Sequence, residues 1–278
     1  MNEAKVIDGK ALAKEIQEEV KEQIQKLGLT PGLGVVLIGN DPASELYVKL
    51  KQKQSQEVGI NFCLYKLEQD APKKEILETI NWLNKDNEID AILVQLPLPN
   101  HLDTDTVIRA INPKKDVDRF HPDNIKAYLN DTASIVPGLS MGIMQLIQST
   151  GEDLANKQAV IIAKSPEFTS TLSHTLAAFD TTTKSVNPND KDLRSKTCKT
   201  DILITAIGKP RIITKEYTKP GAIIIDVGTT YIGDKTNGDV DFESCKESAS
   251  WITPVPGGVG PMTVAILLKN TVALAKEK

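Results

Sequence analysis

Leu33–Gly39 reads LGVVLIG, a continuous apolar run rich in β-branched residues and closed by a glycine. A strand with one wet face alternates polar and apolar residues, whereas a strand covered on both faces does not. The run therefore predicts a buried strand of a parallel sheet. Strand-like runs recur outward from it: NFCLYKL (61–67), DAILVQLPLP (90–99), QAVIIA (158–163), TTTKSV (181–186), DILITAIG (201–208) and GAIIIDVG (221–228). Helix-period segments separate them, and repeated strand–helix–strand units imply parallel sheets covered by helices. A long first helix is predicted over Gly9–Leu27 and a last one over Pro261–Glu277. The rhythm restarts after about residue 136, so the Pro-, Asn- and Asp-bearing stretch 116–137 marks the domain boundary. Past it, a buried strand, a helix ending near Ala178 and a second strand follow the mononucleotide-binding, Rossmann-like pattern.

Bulk properties exclude several classes. The chain has 278 residues, enough for two domains, with 40% hydrophobic and 25% charged residues of both signs. A net charge of −4 and a pI near 5.6, without any Lys/Arg block, argue against a nucleic-acid partner. The three cysteines (Cys63, Cys198, Cys245) and three histidines (His101, His121, His174) share no metal-ligand spacing, so no metal is expected. The opening MNEAKVIDGK lacks the apolar core of a signal peptide. No apolar run approaches the ~18 residues of a membrane span. Reduced thiols and the missing signal predict a cytoplasmic location and no membrane partner.

The chemistry gathers in four segments. In DPASELYVKLKQK (41–53), Asp41 is a sound N-cap and Pro42 fits the first helical turn. Tyr47 and Lys51 then lie four apart on one helix face, just beyond a strand end. Ligands of open α/β sheets sit outside the carboxyl ends of strands. Most helix lysines are merely solvated, so this pair gains weight only from its company. VQLPLP (94–99) places polar Gln95 inside an apolar run between Val94 and Leu96, and a buried Gln needs a partner such as a lysine. KDVDRFHP (115–122) adds Asp116 and Asp118. TPVPGGVGPMT (253–263) is a shaped Pro/Gly loop opening into the last helix, whose free N–H groups face whatever lies there.

Together YVKLKQK, ILVQLPLP, KDVD-FHP and PVPGGVGPMT resemble the bifunctional methylenetetrahydrofolate dehydrogenase/methenyltetrahydrofolate cyclohydrolase family, nearly end to end from KVIDGKALA (5–13). The resemblance implies Lys51 as the proton-handling residue and Gln95 as its hydrogen-bond partner. It implies Tyr47 stacked on the aminobenzoyl group and Asp118 bonded to the pterin, all four counted as catalytic. Val94, Leu96, Pro256, Gly257 and Gly258 would complete the folate site, with the loop 256–261 closing it. The implied architecture is an α/β catalytic domain of residues 1–136 completed by 261–278, and a Rossmann-like domain of 137–260, with a cleft between them. NADP is the implied cofactor, with Ser165 and Thr230 as cofactor-binding residues, and a homodimer the implied assembly.

The cofactor side departs from the family pattern. Where G-x-S-x-x-x-G-x-P is usual, AKSPEFTST (163–171) keeps only Ser165. Thr169 brings a branched side chain where a pyrophosphate should approach, Pro166 removes an N–H, and Glu167 adds negative charge at a helix N-terminus. KSVNPNDKDL (184–193) has Asp190 where a cationic cluster is usual, PGLS (137–140) replaces PCTP, and Thr230 replaces Asn. These changes predict hydrolysis of the methenyl folate with NADP binding and dehydrogenase activity weakened or lost. The alternatives are full bifunctional activity with a variant cofactor mode, and a non-catalytic folate-binding homologue. On the folate side Arg119 replaces a glycine, and either crowds the pterin or turns to solvent.

Two further patterns have ordinary readings. GLSMG (138–142) matches a nucleophile-elbow motif but lacks a buried strand before it, so a helical turn is expected. GDKTNGDVDF (233–242) lacks calcium-loop spacing and predicts a hairpin with Asn237–Gly238 at its tip.

Overall fold

The computed structural model describes residues 3–233 and 235–277. In chain order the elements are β1 (Lys5–Val6), α1 (Gly9–Leu27), β2 (Gly32–Ile38), α2 (Pro42–Val58), β3 (Asn61–Leu67), α3 (Lys73–Lys85), β4 (Ala91–Val94), α4 (Thr104–Arg109) and α5 (Pro122–Leu129). There follow α6 (Gly138–Gln148), β5 (Gln158–Ala163), α7 (Pro166–Ala177), β6 (Thr182–Val186), α8 (Leu193–Thr197), β7 (Ile202–Ala206) and β8 (Ile223–Asp226). The chain ends with β9 (Thr230–Ile232), β10 (Lys235–Asn237), α9 (Phe242–Lys246), β11 (Trp251–Ile252) and α10 (Val259–Lys276).

The chain divides into two compact α/β units. One comprises Lys14–Gly138 and Val264–Lys278, the other Met1–Ala13 and Leu139–Thr263. In the first unit β2 is the middle strand of a parallel sheet ordered β3-β2-β4. Every residue of β2 and β4 is buried, which explains why both read as unbroken apolar runs. Edge strand β3 is half-exposed, with Tyr65 lying against Trp82 of α3.

The second unit holds a six-stranded parallel sheet ordered β1-β11-β8-β7-β5-β6. Strand order reverses beside β5: its successor β6 lies on one flank and β7 on the other. The loops after β5 and β7 therefore border the crevice where open α/β sheets take ligands.

The expected domain limits need correction at the N-terminus. Residues up to Ala13 belong to the second unit, because β1 pairs in parallel with β11. Two-residue strands carry too little periodicity to be read in advance. The hairpin tip also moves. Lys235 pairs with Ile232 and Asn237 with Thr230, so the turn lies between Ile232 and Lys235, where Gly233 has φ +59°. Gly238 is glycine for another reason: a Cβ there would stand 1.9 Å from the Asp226 carboxylate. Ser140 of GLSMG lies in helix α6, buried and donating to the Thr171 hydroxyl at 3.1 Å, as a helical residue rather than a nucleophile.

Candidate active site

Helix α2 starts where it does because the Asp41 carboxylate accepts both the backbone N–H and the hydroxyl of Ser44, each at 2.8 Å. Pro42 sits in the first turn, where its missing N–H costs nothing. This start fixes the helical phase and places Tyr47 and Lys51 on one face. The Lys51 Nζ donates to Gln95 Oε1 at 2.8 Å. Gln95, buried just past β4, donates its own Nε2 to the Leu96 carbonyl at 2.6 Å, so both ends of its amide are committed. Val94 is the buried last residue of β4, Leu96 is half-buried, and the Leu96–Pro97 peptide is cis.

Asp118 arrives on a third segment. Asp116 forms a parallel bridge to Ile92 of β4, and its buried carboxylate accepts from the His121 N–H at 2.7 Å and Asn124 Nδ2 at 2.9 Å. Asn270 of α10 donates to the Val117 carbonyl at 3.1 Å. With the backbone on either side held, the Asp118 carboxyl comes close enough to Lys51 for each to feel the other's charge. A lysine, a glutamine and an aspartate thus converge from three neighbouring segments of one unit.

Burial sets the protonation chemistry. It lowers Lys51 below its ordinary 10.5, with Asp118 opposing the shift. It pushes Asp118 up to about 6, with Lys51 opposing and Asp116 adding to the rise. A lysine so placed gives up its proton more readily than one in water, which suits a general acid/base. The raised carboxyl also makes a stability prediction. A folded state whose Asp118 titrates near 6 holds a proton that the unfolded chain, near 3.8, has released, so stability falls as pH rises through that window. Asp118→Asn should therefore gain stability relative to the parent by about 2 kcal/mol on going from pH 4 to pH 7. Urea melts at the two pH values would check this; a gap that is unchanged or reversed would contradict it.

Arg119 does not turn to solvent. It is buried, holds φ +62°, and its guanidinium donates to the Pro113 carbonyl at 3.1 Å. Its charge is felt with Asp116 and Glu277 and contributes nothing to the shifts of Lys51 or Asp118. The left-handed backbone explains why glycine suits the position.

The remaining expected site residues belong to the other unit. Pro256, Gly257 and Gly258 form the turn between β11 and α10, with a cis Val255–Pro256 peptide and φ +117° at Gly257. A Cβ on Gly9 would stand 2.0 Å from the Gly258 carbonyl oxygen, so the turn packs tightly on the start of α1. Ser165 caps α7, accepting the Phe168 N–H at 3.2 Å and donating to Glu167 at 2.8 Å. Thr230 opens β9, half-buried. Sequence reasoning missed Asp226 and Asp239, which are buried and bound to the loops after β7 and β8. Their signal was the glycine within two residues of each, in DVG and GDV. No group of acidic, Cys or His residues among the described residues could hold a metal, and no helix among them is long and apolar enough to cross a membrane.

The geometry defines a class: a parallel α/β unit with a lysine–amide–carboxylate site, and a Rossmann-like unit whose strand reversal makes a nucleotide-type crevice. The chain belongs to the tetrahydrofolate dehydrogenase/cyclohydrolase family. Residues 7–118 match that family's catalytic domain and residues 137–278 its NAD(P)-binding domain. The Bifunctional protein FolD of Acetivibrio thermocellus is 43% identical over 278 residues, covering 99% of this chain and 98% of that one. The crystal structure of the bifunctional FolD methylenetetrahydrofolate dehydrogenase/cyclohydrolase from Campylobacter jejuni is 40% identical, with a TM-score of 0.93 and 99% of both chains covered. A Trypanosoma brucei methylenetetrahydrofolate dehydrogenase-cyclohydrolase, solved with NADP cofactor and an inhibitor, is 34% identical with a TM-score of 0.95, covering 100% of this chain and 99% of that one. Folate one-carbon chemistry on a two-domain α/β frame is therefore the family's business. The loss of dinucleotide binding expected from the altered loop finds no support in these likenesses, which favour the bifunctional alternative.

Proposed function

We propose that the chain carries both activities of its family: NAD(P)-dependent oxidation of methylenetetrahydrofolate, and hydrolysis of the methenyl product to the 10-formyl form. The observation that carries the reading is the 2.8 Å bond from Lys51 to Gln95 beside Asp118. For hydrolysis, the unprotonated Lys51 Nζ takes a proton from water as its oxygen attacks the methenyl carbon, and returns that proton as the ring opens. Gln95 holds the amine in line. Asp118 accepts from the pterin, and Tyr47, one turn before Lys51, offers a flat face to the aminobenzoyl ring.

The Rossmann-like unit suits a dinucleotide in its main features. The twelve-residue helix α7 starts directly beyond β5 with the Ser165 hydroxyl at its cap, and the loop after β7 borders the same crevice. Such an N-terminus favours a pyrophosphate. Two features weaken it here: Pro166 has no N–H, and Glu167 carries charge of the wrong sign. A bound nicotinamide would accept the hydride; the residues of this unit hold and orient it. Removing the charge should help. Glu167→Gln is expected to tighten NADP⁺ binding by roughly three- to tenfold, the scale of one charge at a helix terminus. Calorimetric titration of parent and variant measures it. Binding by neither protein would leave the cyclohydrolase alone, a second reading that rests on this loop.

A further inference from the structure

The loops after β7 and β8 are not independent, because two buried carboxylates hold them together. Asp239 accepts the backbone N–H groups of Ile207 at 2.5 Å, Gly208 at 2.9 Å and Lys209 at 3.0 Å, three successive amides of the loop after β7. Asp226, the last residue of β8, accepts from Gly228 at 2.9 Å, from the Asp239 N–H at 3.0 Å and from the Val240 N–H at 2.9 Å. The Thr205 hydroxyl of β7 reaches the same carboxylate at 3.3 Å. Neither aspartate has room to move. A Cβ on Gly228 would stand 2.2 Å from the Asp239 carboxyl carbon, and the one on Gly238 1.9 Å from Asp226. Burial raises both carboxyls, Asp226 to about 7 with Asp239 contributing, so the fold retains a costly pair. Neither residue takes part in the lysine chemistry above.

We propose that Asp239 is a positioning residue for the dinucleotide: through Asp226 it locks the loop after β7 and the turn after β8 into one frame at the crevice beside β5. A carboxylate accepts in every direction around both oxygens, so it can gather three N–H groups; an amide must turn its NH₂ toward some of them. The frame fixes the backbone that borders the crevice without touching the ligand. This inference rests on dinucleotide binding as proposed above.

Asp239→Asn tests it. NADP⁺ should bind about tenfold or more weakly, with a matching rise in the dinucleotide KM, as expected when buried N–H groups lose charged acceptors. Methenyl hydrolysis should stay within about threefold of the parent, because Lys51 and Gln95 are untouched. Asp241→Asn, two residues on, keeps its helix-capping oxygen and serves as the control. Equal losses of both activities in Asp239→Asn, together with a lower Tm, would show a merely structural role and overturn the proposal. If that variant does not fold, hydrogen exchange on the parent decides. Saturating NADP⁺ should protect the amides of 207–209 and of 239–240 together, and protection confined to 207–209 would overturn the linkage. A parent that shows no NADP⁺ binding at all would remove the dinucleotide reading itself, and the positioning role with it.

Discussion

Lys51→Met should lower methenyl hydrolysis by roughly 10²-fold or more, the scale of a removed general acid/base. Methionine keeps most of the side chain's length and apolar body, so α2 and its packing should survive. What disappears is the nitrogen that donates to Gln95 and feels the charge of Asp118. Stability should fall little, because the variant also removes a charge whose burial is unfavourable. Steady-state hydrolysis with a thermal melt separates the two effects. Near-parental turnover in a folded variant would remove Lys51 from the chemistry.

Gln95→Leu should cost about tenfold or more in the same reaction, and its pH profile carries the sharper information. Leucine takes away the oxygen that stabilises the ammonium, leaving Asp118 as the remaining support for the charge. The pKa of Lys51 then falls further, so the limb of the rate profile governed by Lys51 moves to lower pH. Gln95→Glu does the reverse: a carboxylate at 2.8 Å favours the ammonium and moves the limb to higher pH. Opposite shifts from two substitutions at one position are hard to produce by general damage. Shifts of the same sign, or none, would show that Gln95 does not set the state of Lys51.

The pairing of Lys51 with Gln95 was legible in advance because both residues carry strong local signals. Asp41 and Pro42 announce the start of a helix, which fixes Tyr47 and Lys51 on one face. Gln95 interrupts an apolar run where a polar side chain must find a partner, and Lys51 is that partner. The buried strands announced themselves by their unbroken apolar runs. What escaped notice was non-local. Strand β1 exists only because β11 lies beside it, and two residues leave no period to read. Asn237–Gly238 looked like a turn, yet Gly238 is there to admit the Asp226 carboxylate. Arg119 was read as a question about pocket or solvent, when its left-handed backbone and the Pro113 carbonyl decide its direction. The altered loop after β5 taught a related lesson. Its residues bear together on a pyrophosphate, but the crevice is bordered also by the loop after β7, whose amides bind Asp239.

The most direct measurement mixes the protein with methylenetetrahydrofolate and NADP⁺ and follows the reduced dinucleotide and the methenyl and 10-formyl folates together. Two activities on one chain require the reduced dinucleotide to appear and the methenyl form to be consumed in turn, with Lys51→Met stopping that consumption. Hydrolysis of added methenyl folate without any reduced dinucleotide, at NADP⁺ concentrations high enough to overcome weak binding, would contradict it.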